Sequence, residues 1–142
     1  MGKYSREKGK RGERMLSSFL REHGYEARRT SQYCGQTGDA SDVVGLPGLH
    51  IECKFVERIN VAEALRQAMH DAKPGLIPVV FHKKSREEWL VTMRGEDFMK
   101  IYPEWEAGRD AELSQSRNPE NADKMYEVIY GMILPKVKEG EK

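Results

Sequence analysis

The sequence predicts an α/β fold in which a mixed β-sheet of about five strands is flanked by helices. Its 142 residues, 38% of them hydrophobic, suffice for one modest core. Apolar residues recur at helical spacing in two early segments, and five short segments have strand-like patterning. The order is helix, three strands, helix, two strands, which favours a mixed sheet with helices on its faces.

The first helix is predicted from residue 11 to residue 23, where Gly24 supplies the stop. Its apolar stripe consists of Met15, Leu16, Phe19 and Leu20. Gly9 and Gly12 precede the stripe, where their small size either lets a phosphate backbone approach or leaves a frayed helix start. The segment "YEARRT" then indicates a strand, and a polar, glycine-containing loop follows it.

A hairpin follows, formed by "SDVV" and "LHIECKF" around a Pro-Gly turn signal. With a two-residue turn, Asp42 would lie opposite Cys53, on the other face from Glu52. With the five-residue loop 45–49, Asp42 stands across from Glu52. We predict this second register, in which Asp42, Glu52 and Lys54 share one face. The side chains predicted to point into the core are Val43, Ile51, Cys53 and Phe55.

The second half begins with a helix capped by Asn60 and ending at Pro74, followed by two strands and a short helix over 95–102. We expect the compact domain to span residues 1–102. Residues 103–121 are polar and without periodicity, so they are predicted to be a linker. An apolar stripe then predicts a C-terminal amphipathic helix within 122–142, which packs on its own domain or across a dimer.

Charge and composition limit the classes to which this protein can belong. Residues 1–34 carry nine Lys or Arg against four Asp or Glu, which suits a polyanion such as nucleic acid, although basic termini are also common solvated tails. No apolar run approaches the roughly 18 residues of a membrane span, and no secretory signal is evident, so we expect a soluble, cytoplasmic protein without membrane contacts. The two cysteines lack the spacing of a zinc site.

The predicted register puts two carboxylates side by side. Unit charges about 4 Å apart repel by on the order of 4 kcal/mol at an effective dielectric near 20. A divalent cation would relieve this, and oxygen ligands favour Mg²⁺ or Mn²⁺ over zinc. Glu13, at the edge of the apolar stripe of the first helix, is expected to point along the sheet as a third carboxylate.

The segments "GKRGERMLSSFLREHGYEARRTS", "SDVV" and "IECK" together resemble the PD-(D/E)xK nuclease superfamily and, within it, the archaeal and phage-type Holliday-junction resolvases. The resemblance covers roughly residues 8–92 and implies a restriction-endonuclease-like sheet. It departs at Ser41, where the pattern often has proline. Asp39 competes with Asp42 for the acidic position, but only Asp42 leads directly into "VV".

The resemblance implies that Asp42 and Glu52 hold the cation, with the backbone carbonyl of Cys53 as a further ligand and Glu13 contributing directly or through water. Lys54 is expected to orient or help deprotonate the attacking water and to offset charge at the phosphate. Gln67 resembles an additional active-site residue, the alternative being a solvated helix side chain. Where related resolvases grip phosphates, and on the adjoining basic surface, this chain has Lys8, Lys10, Arg11, Arg28, Arg29, Thr30 and Ser31.

The expectation is therefore a Mg²⁺-dependent endodeoxyribonuclease that resolves branched DNA in recombination, repair or phage replication. A two-fold symmetric junction needs paired cuts, so a homodimer is expected. The alternatives are a restriction-like, repair or flap endonuclease with the same motif, and a DNA-binding subunit without catalysis.

Overall fold

The computed structural model describes residues 2–30 and 41–115. These ranges form α1 (Lys3–Glu22), β1 (Arg28–Arg29), β2 (Val43–Val44), β3 (Leu49–Phe55), α2 (Val61–Asp71), β4 (Ile77–Lys83), β5 (Leu90–Met93) and α3 (Gly95–Gln115). The strands form one sheet in the order β1-β2-β3-β4-β5, in which β3 and β4 are parallel and the other neighbours antiparallel. The predicted five-stranded mixed sheet is confirmed. Within these ranges, no helix is both long and apolar enough to cross a lipid bilayer.

The register of the hairpin is the second of the two that the sequence allows. Val43 pairs with Ile51, so Asp42, one residue before β2, lies across from Glu52. The two paired residues are fully buried in the main core, and Phe55 is nearly so. The alternation of side chains along β3 therefore sends its carboxylate and its ammonium to the face opposite this core.

Each face of the sheet is covered by a helix. On one face, α1 contributes Leu16 and Leu20 to the main core. On the other, α2 packs through Ala64 and Ala68 against Val80. The α2 helix begins as predicted, because the Asn60 side chain accepts a hydrogen bond from the backbone N–H of residue 63 (3.1 Å).

The first helix starts at Lys3, earlier than the apolar pattern predicts. Residues 3–10 have no apolar stripe because most of them face solvent, and an i,i+3 pair between Glu7 and Lys10 (3.6 Å) adds local support. Gly12 is neither at a frayed end nor open to a phosphate. It is buried against β3, where a Cβ on it would lie 2.4 Å from the Cβ of Phe55.

Replacing Gly12 by Ala is expected to destabilise the fold by about 1–2 kcal/mol, because the overpacking cost exceeds the gain in helix propensity. Gly9 is the matched control, since nothing lies within 4 Å of a Cβ placed there. Gly9→Ala should stabilise by up to about 1 kcal/mol. Urea unfolding midpoints compare the two variants, and equal midpoints would contradict this account of Gly12.

The predicted linker is wrong for residues 103–115, which belong to α3. The segment lacks apolar periodicity but is rich in strong helix formers, and an i,i+3 pair joins Glu106 to Arg109 (3.7 Å). Pro103 lies inside the helix, where proline usually signals a break. The chain divides into two compact units, Met1–Phe98 and Met99–Lys142. The predicted helix within 122–142 lies outside the described residues.

Candidate active site

One cleft of about 550 Å³ gathers the residues that the sequence predicts as catalytic or metal-binding. The first helix supplies Glu13, the approach to β2 supplies Asp42, and α2 supplies Gln67. Strand β3 supplies the segment 52–54. The predicted catalytic and metal-binding residues that line this cleft are Glu13, Asp42, Glu52, Cys53, Lys54 and Gln67. Residues far apart in the sequence thus meet at one place.

Asp42 is held through both its backbone and its side chain. Its carboxylate Oδ2 accepts a hydrogen bond from the backbone N–H of Cys53 (2.8 Å). Its own N–H donates to the carbonyl of Ile51 (2.9 Å), and its carbonyl accepts from the N–H of Thr30 (3.1 Å). The carboxylate therefore has a fixed position beside β3.

The electrostatics of Asp42 are those of a buried carboxyl beside other acids. Burial, followed by the negative charge of Glu52, raises the pKa of Asp42 to about 7, and the charge of Glu13 adds to this. The hydrogen bond from Cys53 and the charge of Lys54 oppose the rise without cancelling it. The repulsion expected from the register is thus present, and it leaves Asp42 needing a proton or a cation.

Because the pKa of Asp42 is higher in the folded protein than its ordinary value near 3.8, the folded state binds that proton more tightly. The stability contributed by Asp42 is full below about pH 4 and is lost as the pH rises to about 7, amounting to up to about 4 kcal/mol. In the metal-free protein, Asp42→Asn should therefore be neutral near pH 4 and stabilising at pH 8. Urea unfolding at both pH values measures this, and a wild-type-to-variant difference that does not change with pH would contradict it.

Glu52 and Lys54 form an ion pair on the same face of β3. Glu52 is only 3% exposed, and its Oε1 lies 2.9 Å from Lys54 Nζ. The same ammonium donates to Gln67 Oε1 (3.3 Å), so α2 helps to fix its position. Gln67 is nevertheless exposed on α2, so a solvated helix side chain remains the alternative, and its catalytic role remains a prediction.

Glu13 also has a cationic partner, since its Oε2 lies 2.7 Å from Arg29 Nε. Among residues 2–30 and 41–115, no three His, Cys, Asp or Glu side chains are close enough to hold a metal ion. The donor set nevertheless fits a hard cation in its chemistry, because the cleft offers carboxylate oxygens and burial raises the pKa of the Cys53 thiol, which keeps sulfur protonated. The ligand roles of the three acids and of the Cys53 carbonyl remain predictions.

The residues predicted to bind phosphates differ in their location and in their partners. Lys8 and Lys10 line the cleft, where they pair with Glu57 (3.2 Å) and Glu7 (3.6 Å). Arg11 is exposed, with its guanidinium 6.0 Å from the centre of the Phe55 ring.

The other predicted phosphate-binding residues follow the first helix in the chain. Arg28 is exposed on β1, whereas Arg29 is engaged by Glu13. The predicted phosphate contact of Thr30 is corrected, because this residue is buried and its hydroxyl donates to the carbonyl of Ser41 (2.6 Å). Thr30 therefore orders the backbone before Asp42 and is not free for a phosphate. Ser31 and Asp39 lie outside the described residues.

The sequence did not predict a contact made by Ser41, the residue before Asp42. Ser41 Oγ lies 2.9 Å from His50 Nδ1, and both residues are buried. Burial lowers the pKa of His50, and its Nε2 has no hydrogen-bond partner among the described residues. The position where the resolvase pattern often has proline is thus tied to β3 by a side-chain contact. The alternation of His50 with Glu52 on one face was the signal available in the sequence.

Comparison with known proteins adds to this geometry. The profile of the archaeal Holliday junction resolvase (Hjc) family matches residues 4–94, which include every residue of the cleft. The chain is also similar to the solved structure of Hjc, a Holliday junction resolvase from the archaeal hyperthermophile Archaeoglobus fulgidus. The identity is 26%, over 60% of this chain and 76% of that one, with a TM-score of 0.47. No match was found among curated proteins. The chain belongs to the archaeal Holliday junction resolvase family.

Proposed function

We propose that this protein is a divalent-metal-dependent endonuclease that hydrolyses phosphodiester bonds in four-way DNA junctions. Family membership supports a nuclease acting on Holliday junctions. The observation that carries the proposal is the meeting of Asp42, Glu52 and Lys54 in one cleft, with the pKa of Asp42 raised to about 7. A site that only bound DNA would gain nothing from two mutually repelling acids, because DNA is itself an anion.

The acidic residues would hold the cofactor, which we propose to be Mg²⁺ or Mn²⁺. Asp42 and Glu52 are its direct ligands in this proposal, and Glu13 takes part directly or through water after releasing Arg29. When bound, the cation supplies charge neutralisation at the scissile phosphate and lowers the pKa of water. The raised pKa of Asp42 means that binding the cation displaces a proton from the site near neutral pH.

The other polar residues of the cleft act on water and phosphate. Lys54, held between Glu52 and Gln67, would orient the attacking water and offset charge at the phosphate. Lys8 and Lys10 line the same cleft and would contact neighbouring phosphates of the cut strand. The Thr30 hydrogen bonds keep Asp42 in place while the substrate binds.

We further propose that the enzyme acts as a homodimer, because a four-way junction has two symmetric strands to cut and one protomer carries one cleft. Since the proposed substrate is DNA in recombination, repair or phage replication, we place the protein in the cytoplasm of an archaeal, bacterial or phage-infected cell.

The test is incubation of the purified protein with labelled four-way junction, flap, linear duplex and single strands, each with Mg²⁺ or with EDTA. Paired cuts in the junction alone, dependent on the cation, are expected. Preferred cutting of the flap would favour a repair nuclease, and cutting of the linear duplex a restriction-like enzyme. Tight junction binding without any cutting would leave only a DNA-binding subunit.

A further inference from the structure

A second groove, of about 590 Å³, borders the catalytic cleft. It is lined by α1, by the end of β3 and by the turn between β4 and β5. Tyr4, Lys8 and Phe55 line both the groove and the cleft, so these three residues form their common wall. A DNA strand in the cleft and a strand in the groove would therefore lie on opposite sides of this wall.

The groove carries an excess of positive charge, because its lining has four Lys or Arg side chains and one carboxylate, that of Glu7. Arg11, Arg14 and Arg86 line it, all three are exposed, and none has an ion-pair partner within residues 2–30 and 41–115. By contrast, Lys8 on the common wall is paired with Glu57. Guanidinium groups match the geometry of phosphate oxygens, so three of them in one groove suit a nucleic-acid backbone.

Arg86 has an unusual backbone conformation. Its φ of 64° lies in the left-handed region, where glycine or asparagine is more easily accommodated than a long side chain. The turn that carries it is anchored, because Glu57 Oε1 accepts hydrogen bonds from both the N–H and the hydroxyl of Ser85. The anchored turn thus places the Arg86 side chain in the lining of the groove.

The groove continues along α1. A neighbouring depression shares Arg11 and Arg14 with it and reaches Trp89 at the start of β5. Arg11 and Arg14 are three residues apart on α1, which places them about 4.5 Å apart along the helix axis. The length and charge of the groove suit a strand backbone better than a single small anion.

We propose that this groove binds the phosphate backbone of a second strand of branched DNA, while the strand to be cut occupies the catalytic cleft. The proposal rests on the proposed function for the nature of the substrate. At a branch, backbones from different arms approach the protein together, whereas a linear duplex has no second arm to place in the groove. The groove thus contributes to selection of branched over linear DNA.

The test compares Arg86→Asn with Lys84→Asn, an exposed residue of the same turn that does not line the groove. Asn tolerates the left-handed backbone at position 86. Binding is measured in EDTA, so that no cutting occurs, between 50 and 200 mM salt. Arg86→Asn should weaken four-way-junction binding by about 5- to 10-fold at 100 mM salt and lower the salt slope by about 2, which is about 1 for each protomer of the proposed dimer. Lys84→Asn should change neither quantity.

Arg14→Gln, on the exposed face of α1, provides a second variant and should show the same loss. Binding to a linear duplex of equal length should change less than twofold in both variants. Wild-type junction affinity and slope in both variants would overturn the proposal, and so would equal losses for junction and duplex. The proposed function fails separately, if the wild-type protein with Mg²⁺ leaves the junction intact.

Discussion

Replacing Glu52 by Gln is expected to lower junction cleavage by about 10³-fold or more, equivalent to about 4 kcal/mol of transition-state stabilisation. Glu52 is buried in the cleft and is a proposed direct ligand of the cation. Glutamine keeps the size of the side chain and removes its charge, so the cation loses an anionic ligand. Single-turnover rates at saturating junction with Mg²⁺ measure the loss.

Two further measurements locate the cause of this loss. Junction binding in EDTA should be within threefold of wild type, and Mn²⁺ binding by calorimetry should be weakened. Glu63→Gln is the matched control, because Glu63 is exposed on α2 and does not line the cleft. A Glu52→Gln protein that cuts at the wild-type rate would remove Glu52 from the mechanism.

Replacing Lys54 by Met is expected to lower the cleavage rate by about 10²- to 10⁴-fold, the usual range for a group that assists proton transfer. Methionine preserves the apolar stem and removes the ammonium that lies beside Glu52 and Gln67. In contrast to Glu52→Gln, this variant should bind Mn²⁺ at least as tightly as wild type, because a competing positive charge is gone.

Lys84→Met is the control for loss of one positive charge, since Lys84 is exposed and outside the cleft. The same single-turnover assay applies to both variants. Undiminished cutting by Lys54→Met would show that its ammonium has no part in the reaction, and lost Mn²⁺ affinity would show that its role is structural.

The hairpin illustrates what the sequence could predict. The register followed from alternation alone, because only one of the two pairings buries Val43 and Ile51 while sending both acids to the other face. The cleft then followed from the order of the motifs, since Glu13 and Gln67 lie on helices that cover the sheet near β3. Such short-period patterns are read correctly where the two faces of a strand differ in polarity.

The features that the sequence did not predict depend on helix propensity and on long-range contacts. The start of α1 and the continuation of α3 past Pro103 depend on helix propensity and side-chain pairs, which leave no apolar stripe. Gly12 acts through contact with Phe55, a residue more than forty positions away. Thr30 acts on the backbone beside Asp42, a contact that only the folded chain creates. Such long-range contacts have no local signature in a sequence.

The setting of Cys53 has a practical consequence. Its backbone N–H faces the active site through Asp42, while its thiol packs against the main core and is kept protonated by burial. Because this thiol is only partly exposed and stays protonated, a thiolate-specific reagent is expected to react slowly at this position. In a Cys34→Ser background, where Cys53 is the sole cysteine of the chain, the labelling rate reports the accessibility of the strand that bears Glu52 and Lys54.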